Sequence, residues 1–355
     1  MNFIQYRRKH VVAEPRQRMM SRLTLLGSLL GVILLFISCN SEVTEQQPVK
    51  LTVGVTPFIG EVASYVAQEK GYFTEQGLEV TIRSNMAGME SFKKLLDGDI
   101  DIAHIAETPF LVAIASPDQF GIERGNEPHI LTNLIHSTQI QKVVAHSDLG
   151  LEKPYDLSGL RVGVKLESKS EYHLDSFFLE YQADSDDIEI VNLTPTEQEE
   201  AFRNREIDVM VTWEPHTSRI LNELGSDAEE LETSLSYSTL WLAVTLENTY
   251  RENPDAVKAY LRALREAQLY MRNQPGEVVE ILAGQLDINR DIIESLVDRI
   301  DYELSLSERM LALLNGQHRW LVQRDEAPDS TINIEEMIIF EPMEEIFPEG
   351  ITLIQ

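Results

Sequence analysis

Leu51-Thr52-Val53-Gly54-Val55 returns later in the chain as the near-copy Leu160-Arg161-Val162-Gly163-Val164. Each is a short aliphatic run of the kind that makes a buried strand of a parallel sheet. Each is followed by a second echo, Ile100-Asp101-Ile102 after the first and Ile207-Asp208-Val209 after the second. The interval from position 51 to 160 nearly equals that from 100 to 207, and intervals that agree this closely imply one lobe plan used twice. The duller explanation is that any two parallel α/β units share Val-Gly-Val and Ile-Asp runs.

Between the echoes the pattern alternates short β-branched runs with amphipathic helical stretches, which predicts βαβ units and a largely parallel sheet. Residues 51–55 read as a strand, and Val62, Ala63, Val66 and Ala67 mark one face of a helix ending near Gly71. Residues 78–82 form a second strand, Phe92, Leu95 and Leu96 face the core from the next helix, Asp97-Gly98-Asp99 turns the chain, and residues 100–105 return as a third strand. Matching loops then follow, Glu107-Thr108-Pro109 in the first unit and Trp213-Glu214-Pro215 in the second. The chain crosses between units near residues 135–143 and returns near residues 234–244, and two crossings make a hinge. Beyond them Asn253 can cap and Pro254 suits the first position of a helix. Further helices at residues 275–286, 291–299 and 307–322 are expected to pack on the first lobe.

The chain has 355 residues, enough for about two domains, and is 43% hydrophobic and 25% charged, which excludes a mainly disordered, collagen-like or polytopic membrane protein. Its 59 acidic against 30 basic residues, a net charge of −29, would repel a phosphate backbone, so nucleic acid is not an expected partner. The acidity either favours a ligand carrying an amine or is simply the solvated surface of a protein outside the cell, and it is not read as a cation site.

The segment from Met1 to Ser38 reverses this balance, with Arg7, Arg8, Lys9, Arg16, Arg18 and Arg22 against Glu14 alone. It leads into an apolar run at residues 23–37, which as a helix reaches only about 22 Å, short of a bilayer core, and so has the order of an export signal. The run ends in Phe36-Ile37-Ser38-Cys39, which resembles a bacterial lipobox with Phe in place of the usual Leu. Met1, Met19 or Met20 can serve as the start, since Met20-Ser21-Arg22-Leu23 already opens a complete signal. Cys39 is the single cysteine, so once it carries lipid no disulfide, thiolate cluster or Cys-His pair can form. The organisation expected is a signal peptide with lipobox at residues 1–38, a flexible tether at 39–49, a discontinuous lobe 1 at 50–136 and 240–355, and lobe 2 at 137–239.

A set of short segments carries a family resemblance: Glu69-Lys70-Gly71-Tyr72-Phe73 with Gly77-Leu78-Glu79-Val80, then Leu96-Asp97-Gly98-Asp99-Ile100-Asp101, Asp156-Leu157-Ser158-Gly159-Leu160-Arg161-Val162-Gly163-Val164, Ile207-Asp208-Val209 with Trp213-Glu214-Pro215, and Asn253-Pro254-Asp255-Ala256-Val257. In this order, over about residues 50–275, they resemble the lipoprotein type of solute-binding component of bacterial ABC importers, in the SsuA/NMT1-like family that includes sulfonate, taurine, nitrate and thiamine-precursor binding proteins. The resemblance implies an α/β periplasmic-binding-protein-like fold of type II, two lobes with a hinge and a ligand cleft between them. It implies a membrane-anchored monomer in the cell envelope, on its periplasmic or extracellular face, that captures a small solute, a sulfonate, taurine, nitrate or related anion or zwitterion, and delivers it to an ABC permease. A thiamine-precursor pyrimidine, or a solute-sensing domain for a membrane partner, is the alternative.

Open α/β lobes bind ligands outside the carboxyl ends of their strands, so the candidate contacts come from both units. Thr56, Pro57 and Phe58 follow the first strand and offer a hydroxyl beside an apolar wall. Glu107 and Thr108 follow the third, where the carboxylate either holds a ligand amine or complements a helix dipole. His136 and Ser137 lie at the first crossing. Ser168, Lys169 and Ser170 join a strand to a helix, where free N–H groups and an ammonium make either an anion cradle or a simple N-cap. Trp213 and Glu214 follow the Ile207 strand, the indole to stack on a ligand or pack in the core, the carboxylate to bond a cationic group. No metal or cofactor is implied. Catalysis is not expected, because no His-Glu metal spacing, Gly-rich phosphate loop or nucleophile elbow is present.

Overall fold

The structure is a computed structural model and describes residues 47–151, 156–181, 187–231, 238–286, 288–327 and 332–353. Residues 1–46, on which the expected signal peptide, Cys39 and most of the expected tether fall, lie outside the described residues.

In chain order the strands are β1 (Val49–Val55), β2 (Leu78–Ser84), β3 (Ile102–Ala106), β4 (Pro128–Ser137), β5 (Gln141–His146), β6 (Arg161–Val164), β7 (Glu189–Asn192), β8 (Val209–Trp213), β9 (Ala228–Glu230) and β10 (Thr239–Leu246). The principal helices are α1 (Val62–Lys70), α2 (Gly88–Leu96), α3 (Glu107–Ala115), α4 (Lys169–Tyr181), α5 (Pro195–Arg203), α6 (His216–Leu224), α7 (Pro254–Asn273), α8 (Pro275–Leu286), α9 (Arg290–Val297) and α10 (Glu308–Gln323). One five-stranded sheet runs β2-β1-β3-β10-β4 and the other β7-β6-β8-β5-β9. The two orders are one plan, with β6, β7, β8, β9 and β5 standing for β1, β2, β3, β4 and β10. In each sheet the antiparallel strand is the one that enters directly from the other sheet: β5 follows β4 after residues 138–140, and β10 follows β9 across a return whose residues 232–237 lie outside the described set.

The echoed sequence has an atomic reason. A Cβ on Gly54 would stand 2.5 Å from Ile100 Cδ1, and one on Gly163 would stand 2.5 Å from Ile207 Cδ1. Each isoleucine therefore roofs a strand-centre glycine that no larger residue can replace without displacing it. The neighbouring aspartates repeat too: Thr52 N–H donates to Asp101 Oδ2 at 2.6 Å and Arg161 N–H to Asp208 Oδ2 at 2.8 Å. The Asp101 and Asp208 amides donate back to the Thr52 and Arg161 carbonyls at 2.9 and 2.8 Å. In the second unit the Arg161 guanidinium adds a bond to Asp208 Oδ1 at 2.7 Å, which holds that carboxyl below its usual range.

Because Ile100 and Asp101 are spent on this clamp, β3 begins at Ile102, two residues later than the pattern predicts. Glu107-Thr108-Pro109 is not a loop but the first turn of α3. Asn253 caps α7 through its carbonyl, which accepts from the Ala256 and Val257 amides, while its side chain makes no cap bond. The helix expected at 291–299 is α9, one residue earlier at its start and two at its end, and Ser307 is the N-cap of α10, accepting from Met310 N–H at 3.2 Å.

Apolar burial divides with the sheets. Buried residues from Leu51 to Ile140 and from Leu240 to Met343 form one core, to which Leu282, Ile293 and Leu314 of the C-terminal helices belong, whereas Val143 to Leu231 supply two smaller cores on either face of the second sheet.

Gly163→Ala is expected to cost about 1–3 kcal/mol through overpacking, read as a lower urea midpoint, and Ile207→Val in the same chain should recover part of it. No recovery at all would show that Ile207 does not set the limit at Gly163.

Candidate functional site

The carboxyl ends of β1, β3, β6 and β8 are followed by segments that converge on a cavity of about 320 Å³. The first sheet contributes Thr56 and Phe58 after β1, Ala106 at the end of β3, and Thr239 and Trp241 on β10; the second contributes Gln141, the segment Lys165 to Lys169 after β6, and Trp213 at the end of β8. Met86, Ala87, Gly88 and Met89, before and within the first turn of α2, complete one wall. Gly88 lets that turn lie against the ring, since a Cβ there would stand 3.0 Å from Trp241 Cη2 and 2.8 Å from Ile105 Cα.

The Trp241 wall is held from behind by a buried polar chain. Phe58 meets Trp241 edge-on at 4.6 Å, and the Trp241 indole N–H donates to Glu61 Oε1 at 2.8 Å. The same oxygen accepts from Thr56 N–H at 3.2 Å, while Glu61 Oε2 lies 2.6 Å from His104 Nδ1 and His104 Nε2 lies 2.9 Å from the Tyr260 hydroxyl. Glu61, His104 and Tyr260 are all at most 1% exposed, and burial drives the Tyr260 hydroxyl well above the usual phenol range. Fixing the indole and the Thr56 backbone in this way gives a rigid cavity wall. The residue pattern did not single out Glu61, His104 or Tyr260; the one sequence signal was a glutamate placed inside an otherwise apolar helix start.

Glu107 and Lys169, expected from the sequence as separate contacts, one for a ligand amine and one for an anion, meet each other. Lys169 Nζ lies 2.6 Å from Glu107 Oε1, with the two side chains 2% and 0% exposed, so the first turn of α3 on one sheet is joined to the first turn of α4 on the other. Glu107 also accepts from Leu240 N–H at 3.1 Å and from Gln317 Nε2 at 3.0 Å. Lys169 lines the cavity, lies 4.6 Å from the Tyr172 ring, and sits one turn before His173, whose imidazole burial and the Lys169 charge hold down at about 4.

The start of α4 is largely self-satisfied. Ser168 Oγ accepts from Ser170 N–H at 3.1 Å, donates to the Lys165 carbonyl at 2.6 Å, and Glu171 reaches back to accept from Glu167 N–H at 2.7 Å. Capping thus uses Ser170 N–H and Glu167 N–H, two of the donors that an anion cradle would need.

Thr56, Phe58, Ser168, Lys169 and Trp213 are thus brought to the cavity, and Glu107 lies behind its wall. The others are placed elsewhere. Pro57 is exposed and does not line it. Thr108 donates to Gln317 Oε1 at 2.6 Å, and Ser170 donates to Gln141 Oε1 at 2.8 Å, both buried off the cavity surface. His136 lies 2.7 Å from Ser238 Oγ, with burial and the nearby Arg309 charge lowering its pKa, and Ser137 donates to the Arg299 carbonyl at 2.9 Å. Glu214 is 1% exposed; it accepts from Ser218 N–H at 3.1 Å in the first turns of α6 and lies 3.4 Å from Lys142 Nζ, so its charge is met within the second lobe.

A second bridge joins the lobes with no signal in the residue pattern. At the end of α10 the Trp320 indole N–H donates to Asp175 Oδ2 on α4 at 3.1 Å, and Arg324 pairs with Glu171 at 2.8 Å and with Asp175. The Tyr172 and Trp320 rings meet edge-on at 5.1 Å. Among the described residues there is no cluster of His, Cys, Asp and Glu suited to a metal ion, and no helix long and apolar enough to cross a membrane.

The family model described as NMT1/THI5 like matches residues 61–278, more than half of the chain. The chain is 25% identical over 233 residues to the taurine-binding periplasmic protein of Escherichia coli K12, covering 63% of this chain and 67% of that one. It is 23% identical over 323 residues to the putative binding protein YtlA of Bacillus subtilis, covering 86% and 91%. Among solved structures it resembles the aliphatic sulphonate binding protein SsuA of Escherichia coli, with a TM-score of 0.68 at 17% identity over 82% of this chain and 92% of that one. It also resembles the nitrate-binding protein NrtA of Synechocystis PCC 6803, with a TM-score of 0.69 at 14% identity over 85% and 89%. With two sheets of one strand order and a cavity between their carboxyl ends, the chain has the periplasmic-binding-protein fold and belongs to the NMT1/THI5-like family.

Proposed function

We propose that the chain is the solute-binding component of an ABC importer, held to a membrane of the cell envelope, on its periplasmic or extracellular face, through lipid on Cys39. The observation that carries this reading is the cavity, whose lining comes from both sheets. A ligand that touches both lobes favours their approach, whereas one that touches a single lobe leaves the equilibrium alone. The lobes are residues 50–136 with 240–355, and residues 137–239, moving about the crossings at 138–140 and before β10. Relatives named as binding proteins for taurine, sulphonates and nitrate support a small polar solute, a membrane permease as partner, and a role in binding without catalysis.

Thermal unfolding of the chain from residue 40 onward, screened against sulfonates, taurine, nitrate and pyrimidines, tests the reading: a true ligand at a hundred times its Kd adds about 2.7 kcal/mol to stability and raises the Tm. Trp213→Ala should abolish that rise while leaving a cooperative transition, and a variant that responds like the parent would remove Trp213 from the site. Arg324→Ala, at a residue that does not line the cavity, should speed ligand release by roughly threefold to tenfold with little change in association, as measured by stopped-flow; equal release rates would deny the α10–α4 bridge any part in closure. For the anchor, Cys39→Ser should shift the full-length chain from the membrane to the soluble fraction and end palmitate incorporation. Persistence in the membrane would rule out lipid on Cys39 as the attachment.

A further inference from the structure

The charge of the solute can be narrowed from the way the cavity disposes of its own charges. Lys169 is the buried ammonium of the lining, and its charge is met at 2.6 Å by Glu107, a carboxylate with no exposed surface. An anion brought to Lys169 would meet the Glu107 field at short range, and because both side chains are buried, like charges there repel strongly. The helix start that would otherwise favour an anion is partly occupied, since Ser168 Oγ takes Ser170 N–H and Glu171 takes the Glu167 N–H just before it. At the rim stand exposed Lys93, half-buried Lys165 and exposed Glu167, with Glu90, which is itself engaged with Lys94 and Met86 N–H. Solvent screens these outer groups.

What remains in the cavity is apolar surface with neutral hydrogen-bonding groups. Phe58, Trp241 and Trp213 supply the rings, and the buried hydroxyls Thr56 Oγ1 and Thr239 Oγ1, on residues 4% and 3% exposed, face it without a protein partner. The Lys169–Glu107 approach is close but lies off the hydrogen-bond axis, so the ammonium keeps N–H donors for an uncharged acceptor such as a sulfonyl or carbonyl oxygen. Resting on the solute-binding reading above, we propose that the cavity takes an organic solute with an apolar body and no net charge, and that Glu107 is the specificity-determining residue that excludes small free anions by holding Lys169 neutralised.

A matched pair of probes isolates charge from shape: benzenesulfonamide, uncharged at neutral pH, and benzenesulfonate, of nearly the same size but anionic, with nitrate as a small free anion. Isothermal titration of the wild-type chain should show the sulfonamide binding at least about tenfold more tightly than the sulfonate, and no nitrate binding. Glu107→Gln keeps the side chain's shape and an oxygen to accept from Leu240 N–H but leaves Lys169 unpaired, so it should gain at least about tenfold in sulfonate affinity and invert the order. Lys169→Met, which removes the ammonium, should show no such gain. Thermal unfolding of both variants checks that they are folded, and should Glu107→Gln not fold, the wild-type order of the three probes decides alone. A wild-type chain that prefers the sulfonate or binds nitrate overturns the charge assignment and leaves the solute-binding reading standing. Failure of every probe, with wild type and variants alike, overturns the charge assignment, and the two readings fall together only if the wider solute screen also raises no Tm.

Discussion

A buried ammonium from one lobe and a buried carboxylate from the other, Lys169 and Glu107, meet at 2.6 Å, and the placement of everything around the cavity depends on their meeting. Removing either ion from water costs several kcal/mol, and removal of one partner from a buried pair typically costs about 3–5 kcal/mol. Neither side chain can keep its place when the lobes separate unless water follows it in. The pair therefore couples the first turn of α3 to the first turn of α4, and with them the Leu240 amide at the start of β10 and Gln317 on α10.

That two helix starts come within reach of each other follows from the duplicated clamp. An isoleucine over a strand-centre glycine, with an aspartate pinning the amide two residues earlier, fixes β1 against β3 and β6 against β8 at the same depth. Each lobe then buries most of its apolar residues in its own core, with Ile140 at the crossing and Trp213 at the end of β8 packing on the first. Among the described residues, contacts that cross between lobes are largely polar and aromatic: the Lys169–Glu107 pair, Trp320 and Arg324 on Glu171, Tyr172 and Asp175, and Trp213 against the first core. Interfaces of that composition allow domains to move relative to one another, where a shared apolar core would weld them.

Much of this was legible in the sequence because period-2 and helical patterning, and the Gly and Ile-Asp echoes, report local packing. The strand at 51–55, the helix ending at Gly71 and the helix Pro275–Leu286 all correspond to observed elements. The cavity residues that follow strands directly, Thr56, Phe58, Ser168, Lys169 and Trp213, were legible for the same reason. Glu107 and Glu214 were not, because a carboxylate after a strand looks the same whether it meets a ligand or a lysine from a distant part of the chain. Lys169 for Glu107 and Lys142 for Glu214 are pairings that only the assembled sheets bring together. Glu61 was missed because its partners, Trp241, His104 and the Thr56 amide, come from three separate segments. Ser307 capping α10 was within reach of pattern reading, but the bridge from the other end of that helix to α4 was not.

These interlobe contacts also bear on what a ligand has to do. Moving a two-state equilibrium from 1:99 to 99:1 requires about 5.5 kcal/mol of differential binding. A protein whose lobes already share a buried ion pair and an aromatic-guanidinium bridge starts nearer to balance, so its ligand need supply only part of that difference. Contacts with Phe58 and Trp241 from one lobe and Leu166 and Trp213 from the other can supply it through burial of apolar surface, which requires no charge on the solute. An anion would have to draw Lys169 from Glu107, opposing the contact that holds the lobes together, so the same pair that favours approach also biases the choice of ligand. Closure and selectivity are then two consequences of one placement: a lysine at the head of α4 opposite a glutamate at the head of α3.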